Sequence, residues 1–145
     1  MTRFRLSTVE RLREQQEQIC ARRLRECTQD LAQTAATRDQ LIAQLTATGR
    51  ARTPGGHLAM ASMYRDRLRE EIVTADQEID RRTGVLEEAR AAWTAARAQL
   101  RAVQTLHDRH REEQRAQARR REQAELDEFA GSRGHPGRAV LGGAG

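Results

Sequence analysis

Few residue groups in this chain have types and spacing suited to chemistry. His107 and His110 stand three apart, so one helical face could offer two metal donors. A site needs a third and fourth ligand, and no nearby Cys or Glu-x-x-His pairing supplies them. The two imidazoles read as polar positions where a helix leaves its partner. Cys20 and Cys27 are seven residues apart, about 10.5 Å along a helix, too far to bond to each other. They read as reduced thiols on a packed stripe. Arg119-Arg120-Arg121, with Arg109, Arg111 and Arg115, could meet phosphates. Against that stand Glu112, Glu113, Glu122, Glu125, Asp127 and Glu128, with no aromatic residue before Phe129 on which a base could stack. There is no glycine-rich phosphate loop and no nucleophile elbow. The expectation is a protein that is not an enzyme, with no cofactor, metal, nucleic acid or small-molecule substrate, whose work is done by helix faces.

The elements that carry those faces follow from periodicity. Leu68, Ile72, Ala75, Ile79, Arg82, Leu86, Ala89, Trp93, Ala96, Leu100 and Val103 recur at alternating steps of three and four, the stripe of a coiled-coil helix. Arg82 is its one charged member. The chain has 145 residues, 32% of them charged and 3% aromatic, which is thin for a globular core and suits solvated helices. Net charge is +5, but acidic and basic residues interleave along most of the length.

The partner for that stripe lies upstream. Ser7 and Glu10 have capping-box spacing, placing the start of helix one near Thr8. Val9, Leu12, Gln16 and Ile19 carry one phase of its seam. After a one-residue slip at Ile19 and Cys20, Leu24, Cys27, Leu31, Thr34, Arg38, Leu41 and Leu45 carry the next. Gly49 stands where a left-handed cap is expected, and the run to Gly56, with Pro54, is the clear break in the chain.

The sequence thus predicts an all-α fold, an antiparallel two-helix coiled-coil hairpin with a longer, projecting C-terminal helix. Helix one covers about 8–48, the turn 49–57 and helix two about 58–130, with a disordered glycine-rich tail over 131–145. Folding near Arg52 sets Leu45 against Ala61, Leu31 against Ala75, Cys27 near Ile79, Leu12 near Trp93 and Leu6 near Leu100. Met60, Met63 and Tyr64, with Ile42, form a second apolar stripe near the turn. It is either a wider core closed by the loop or an exposed contact patch. No run approaches the length of a membrane span and no signal peptide opens the chain, so a cytoplasmic protein is expected.

Several segments resemble the flagellar export protein FliJ family. Phe4-Arg5-Leu6, Val9 and Leu12-Arg13-Glu14 look like its opening. Gly56, Leu58, Tyr64, Leu68 and Ile72 follow its pattern after the turn, and Leu106-His107 with Leu126-Asp127-Glu128 look like its C-terminal arm. The resemblance implies a small component of the type III export apparatus, peripherally associated with the cytoplasmic membrane, whose ends enter the pore of the hexameric flagellar export ATPase. It also implies a membrane export gate protein and export chaperones as partners. Ring-facing residues would be Phe4, Leu6, Leu12, Arg13, Leu106, His107, Arg109, Arg121 and Leu126; gate- or chaperone-facing residues would be Leu41, Leu45, Tyr64, Leu68 and Ile72. The sequence leaves open a basic coiled coil that binds nucleic acid, or the equivalent stalk of a virulence secretion system.

Overall fold

Long stretches of Arg, Glu, Gln, Ala and Leu, all strong helix formers, carry the chain into two helices. The computed structural model describes residues 2–52 and 54–134, with side chains from Arg5 onward. Helix α1 spans Thr2–Arg50, a 3-10 turn covers Gly55–His57, and helix α2 spans Leu58–Arg133. No strand occurs among the described residues. The fold is therefore an all-α helical hairpin. The chain divides into a unit over Met1–Ala102, which holds the hairpin, and a second over Val103–Gly145. In the second unit, helix continues to Arg133, where the Gly134 N–H donates to the Gly131 carbonyl at 3.3 Å. The expected disorder of the tail concerns residues that from 135 onward lie outside those described.

The hairpin's direction is set by four contacts between the helices. The Arg13 guanidinium donates to Gln99 Oε1 at 2.7 Å, and the Trp93 indole N–H donates to Glu17 Oε1 at 2.8 Å. Arg82 lies 3.6 Å from Asp30 Oδ2, and Arg38 lies 3.4 Å from Asp76 Oδ1. Numbers rise along one helix as they fall along the other, so the pairing is antiparallel. Each pair is centred on residues 55–57, which moves the bend from Arg52 to the Gly55-Gly56 turn. The register shifts accordingly. Trp93 meets Glu17 and not Leu12, and Cys27 lines a groove with Arg81, Arg82 and Val85 in place of Ile79. The cause is that α1 runs through Gly49, which takes no left-handed conformation, and stops only after Arg50, where the Ala51 N–H donates to the Ala47 carbonyl. Pro54, with ψ at 144°, then opens the 3-10 turn closed by the His57 N–H on its carbonyl.

The start of α1 departs from the sequence reading in phase. Half-buried positions run Leu6, Glu10, Arg13, Glu17, Cys20, Leu24, Cys27, Leu31, Thr34, Arg38, Leu41 and Leu45, in unbroken steps of four and three. There is no slip. Val9, Leu12, Gln16 and Ile19 are exposed, Ile19 at 65%. Continuing one heptad phase avoids a local change of winding, and polar side chains with long stems tolerate the seam when their heads find partners. Glu17 finds the indole of Trp93; Arg13 finds Gln16 and Gln99. Leu6, in the same phase, accounts for α1 beginning upstream of Thr8 and placing the Ser7–Glu10 pair inside the helix. On α2 the stripe is as expected, every member from Leu68 to Val103 being buried or half-buried.

Only Leu68 and Ala89, each 3% exposed, are buried among the described residues. Between them a charged layer crosses the seam. Glu78 accepts from Arg81 Nε at 2.9 Å and from Arg82 Nε at 2.8 Å, and Arg82 also faces Asp30. The hydrogen bond from Arg81, and then that from Arg82, lowers the Glu78 carboxyl from 4.5 to about 2. The Arg38 guanidinium donates to Asp39 and to Asp76, and these hydrogen bonds raise its pKa above the usual value.

Two outcomes test this seam. Leu68→Ala should cost about 2–5 kcal/mol in urea unfolding followed by circular dichroism, whereas Ile19→Ala should change stability by no more than about 0.5 kcal/mol. Equal losses would mean that the N-terminal phase has been misplaced. A carboxyl depressed in the folded state contributes stability that is full above its unfolded pKa and is lost as pH falls towards the folded one. The wild-type melting temperature should therefore drop between pH 4.5 and 2, and Glu78→Gln should show a smaller drop across that window.

Candidate interaction surfaces

Three apolar surfaces remain outside the seam. The first lies near the turn, where Met60, Met63 and Tyr64 are exposed, Met63 at 73% and Tyr64 at 47%, with Leu58, Ile42 and Val73 also exposed. The loop does not close over them, so the second stripe is exposed surface and not a wider core. Helical spacing explains it: Met60 and Met63, then Arg67 and Glu70, fall on the face of α2 turned away from the Leu68 stripe. Met63, Tyr64, Asp66, Arg67 and Glu70 line a groove of about 560 Å³. Two flexible thioethers beside a phenol make a surface that can adapt to a partner's shape.

A second surface lies at the other end of the hairpin unit. Val9, Leu12 and Ile19 of α1 are exposed there, and Gln16, Ile19 and Cys20 line a groove of about 350 Å³ with Ala92, Ala95, Ala96 and Gln99 of α2. Sequence reasoning assigned Val9 and Ile19 to the core and so missed them as surface. Stepping backward from Leu24 in threes and fours, polar residues allowed, would have found the true seam.

The third lies within Val103–Gly145. Leu106, Leu126 and Phe129 are exposed there, Leu126 at 63%, and the Arg133 guanidinium sits 4.6 Å over the Phe129 ring. Arg109 and Arg119-Arg120-Arg121 are exposed. His107 and His110 are half-buried, and no cluster of three or more metal-ligating side chains occurs among the described residues.

The structure sorts the residues singled out from the sequence. Of the ring-facing set, Phe4 lies in α1 with its side chain outside the described residues, Leu6 and Arg13 are half-buried in the seam, and Leu12 is exposed. Leu106, Arg109, Arg121 and Leu126 are exposed, and His107 is half-buried. Of the gate-facing set, Leu68 is enclosed, Leu41, Leu45 and Ile72 are half-buried, and Tyr64 is open to solvent. Tyr64 therefore joins Met60 and Met63, and the leucines behind it hold the helices together.

No helix among the described residues is long and apolar enough to cross a membrane. Comparison with curated proteins and with solved structures finds no match to either. The sequence model of the family described as Flagellar FliJ protein matches residues 2–137, which takes in both helices and the turn. The chain belongs to the FliJ family, a non-enzymatic family associated with flagellar protein export.

Proposed function

We infer that this chain is a non-catalytic stalk and adaptor of the flagellar type III export apparatus, inserting into the hexameric export ATPase ring, coupling it to the membrane export gate and escorting export chaperones. The observation that carries this reading is the family match across 2–137, spanning a helical hairpin whose exposed apolar residues sit at separate places along its helices. A single hairpin has no six-fold symmetry, so it meets the subunits of a six-fold ring unequally. It can bias them towards different states to the extent that it binds those states with different affinity.

In this reading the ring is met by the chain's terminal segments, with Leu106, Arg109, Arg121 and Leu126 offering exposed side chains and Leu12 and Arg13 the opposite terminal contribution. Phe4, Leu6 and His107 complete that set. The gate or chaperones are met by Tyr64 with its neighbouring methionines. Leu41, Leu45, Leu68 and Ile72 act behind Tyr64 by fixing its backbone.

Two substitutions test the assignment. Arg121→Glu should leave helicity unchanged and weaken binding to the purified export ATPase about tenfold, with a matching fall in ATPase stimulation. Tyr64→Ala should leave ATPase stimulation intact and reduce gate binding by about 2 kcal/mol, as removal of an aromatic anchor does. Unchanged stimulation by Arg121→Glu, together with salt-steep DNA binding by the wild type, would favour a nucleic-acid role instead.

A further inference from the structure

The face formed by Val9, Leu12, Gln16 and Ile19 is left open by the hairpin. These residues recur at steps of three, four and three, the spacing of one strip of a coiled coil, over about 15 Å of helix. Beside them α2 presents Ala92 and Ala95, and Gln16, Ile19, Ala92 and Ala95 share one groove of about 350 Å³. Alanine on that wall lets a further backbone come close. Apolar residues on one wall and small ones on the other form a seat for a third helix.

Charge says which helix. In the same phase as the apolar strip, one step beyond each end, stand Arg5 and Arg23, about 27 Å apart. Neither forms an ion pair among the described residues, and nor does Arg22. Arg38, Arg67, Arg69, Arg81 and Arg82, by contrast, are each bridged to a carboxylate of this chain. A second copy laid on this face would bring Arg5 and Arg23 against one another in the antiparallel sense, and each against itself in the parallel sense. Both arrangements set like charges together. An acidic helix has no such conflict.

We propose that the exposed strip Val9–Ile19 of α1, together with the groove that Gln16, Ile19 and Cys20 form with Ala92–Gln99 of α2, binds an amphipathic helix of another protein, apolar at heptad spacing over about three turns and acidic at both ends, completing a local three-helix bundle. The partner's apolar strip fills the groove, and its terminal carboxylates neutralise Arg5 and Arg23. Leu12 is shared with the ring-facing set of the proposed function, whereas Arg5, Val9, Gln16, Ile19 and Arg23 are not, so the two readings are tested separately through Ile19.

The probe is a fluorescein-labelled helical peptide of three heptads, Leu and Ile at the seam positions and Glu at both ends, titrated into the full chain by fluorescence anisotropy. A matched peptide with Lys at both ends is the control. The acidic peptide should bind at least tenfold tighter than the control, with the margin shrinking as salt rises. Ile19→Asp, whose side chain is exposed and whose fold is therefore retained, should weaken binding of the acidic peptide at least tenfold. The Arg5→Glu/Arg23→Glu double variant should reverse the preference. Equal binding of both peptides, an unaffected Ile19→Asp, or a wild-type dimer in sedimentation that Ile19→Asp dissociates would overturn the proposal, the last assigning the face to a second copy. Stimulation of the export ATPase by Ile19→Asp reports the stalk reading separately. It should be unchanged, and its loss would give this face to the ring.

Discussion

A stripe repeating every three and four residues must stay in one phase along two helices that run in opposite directions. Everything else in the hairpin unit yields to that constraint. It holds polar Glu10, Arg13 and Glu17 in the seam while apolar Val9, Leu12 and Ile19 face outward. Hydrophobicity alone would have chosen the reverse. Changing phase midway would require a change of winding, with loss of knobs-into-holes packing on both sides of it. The polar residues are tolerated because their heads are satisfied, Glu17 by the Trp93 indole and Arg13 by Gln16 and Gln99.

Two helices enclose little. Leu68 and Ala89 are buried, and most other seam positions are half-buried. Polar pairs across the seam therefore act mainly as register marks. Exposed ion pairs add little stability, but a misaligned Arg82 would lose Asp30 across the seam and keep only Glu78 of its own helix. A lightly filled core also leaves apolar side chains outside it. The seam and the exposed apolar side chains thus occupy different phases of the same helices.

How far the sequence could be read depended on how far apolar residues coincide with the seam. On α2 they coincide, and Leu68 to Val103 was legible in full. On α1 they coincide from Leu24 to Leu45 and part company before it, where the spacing of Val9, Leu12 and Ile19 imitates a seam. The register was misread by a few residues because Gly49 looked like a helix stop. Glycine permits a left-handed cap but does not compel one, and α1 runs past it to Arg50. Whether Met60, Met63 and Tyr64 lie inside or outside could not follow from periodicity, since both arrangements have the same spacing. Of the residues singled out, Leu106 and Leu126 were legible as surface, and the groove beside Ile19 was not.

The central claim is an intramolecular hairpin centred on Gly55-Gly56. Nitroxide labels at Thr37→Cys and Thr74→Cys, in a background with Cys20→Ser and Cys27→Ser, report it through their dipolar coupling. Both positions border one groove between the helices. A hairpin folded within one chain gives a narrow distribution near about 20 Å, from helix axes roughly 10 Å apart plus the label arms. That distribution must persist when labelled chain is diluted with unlabelled chain. A distribution beyond about 40 Å, or a short distance that disappears on dilution, would show that the helices pair otherwise than within one chain.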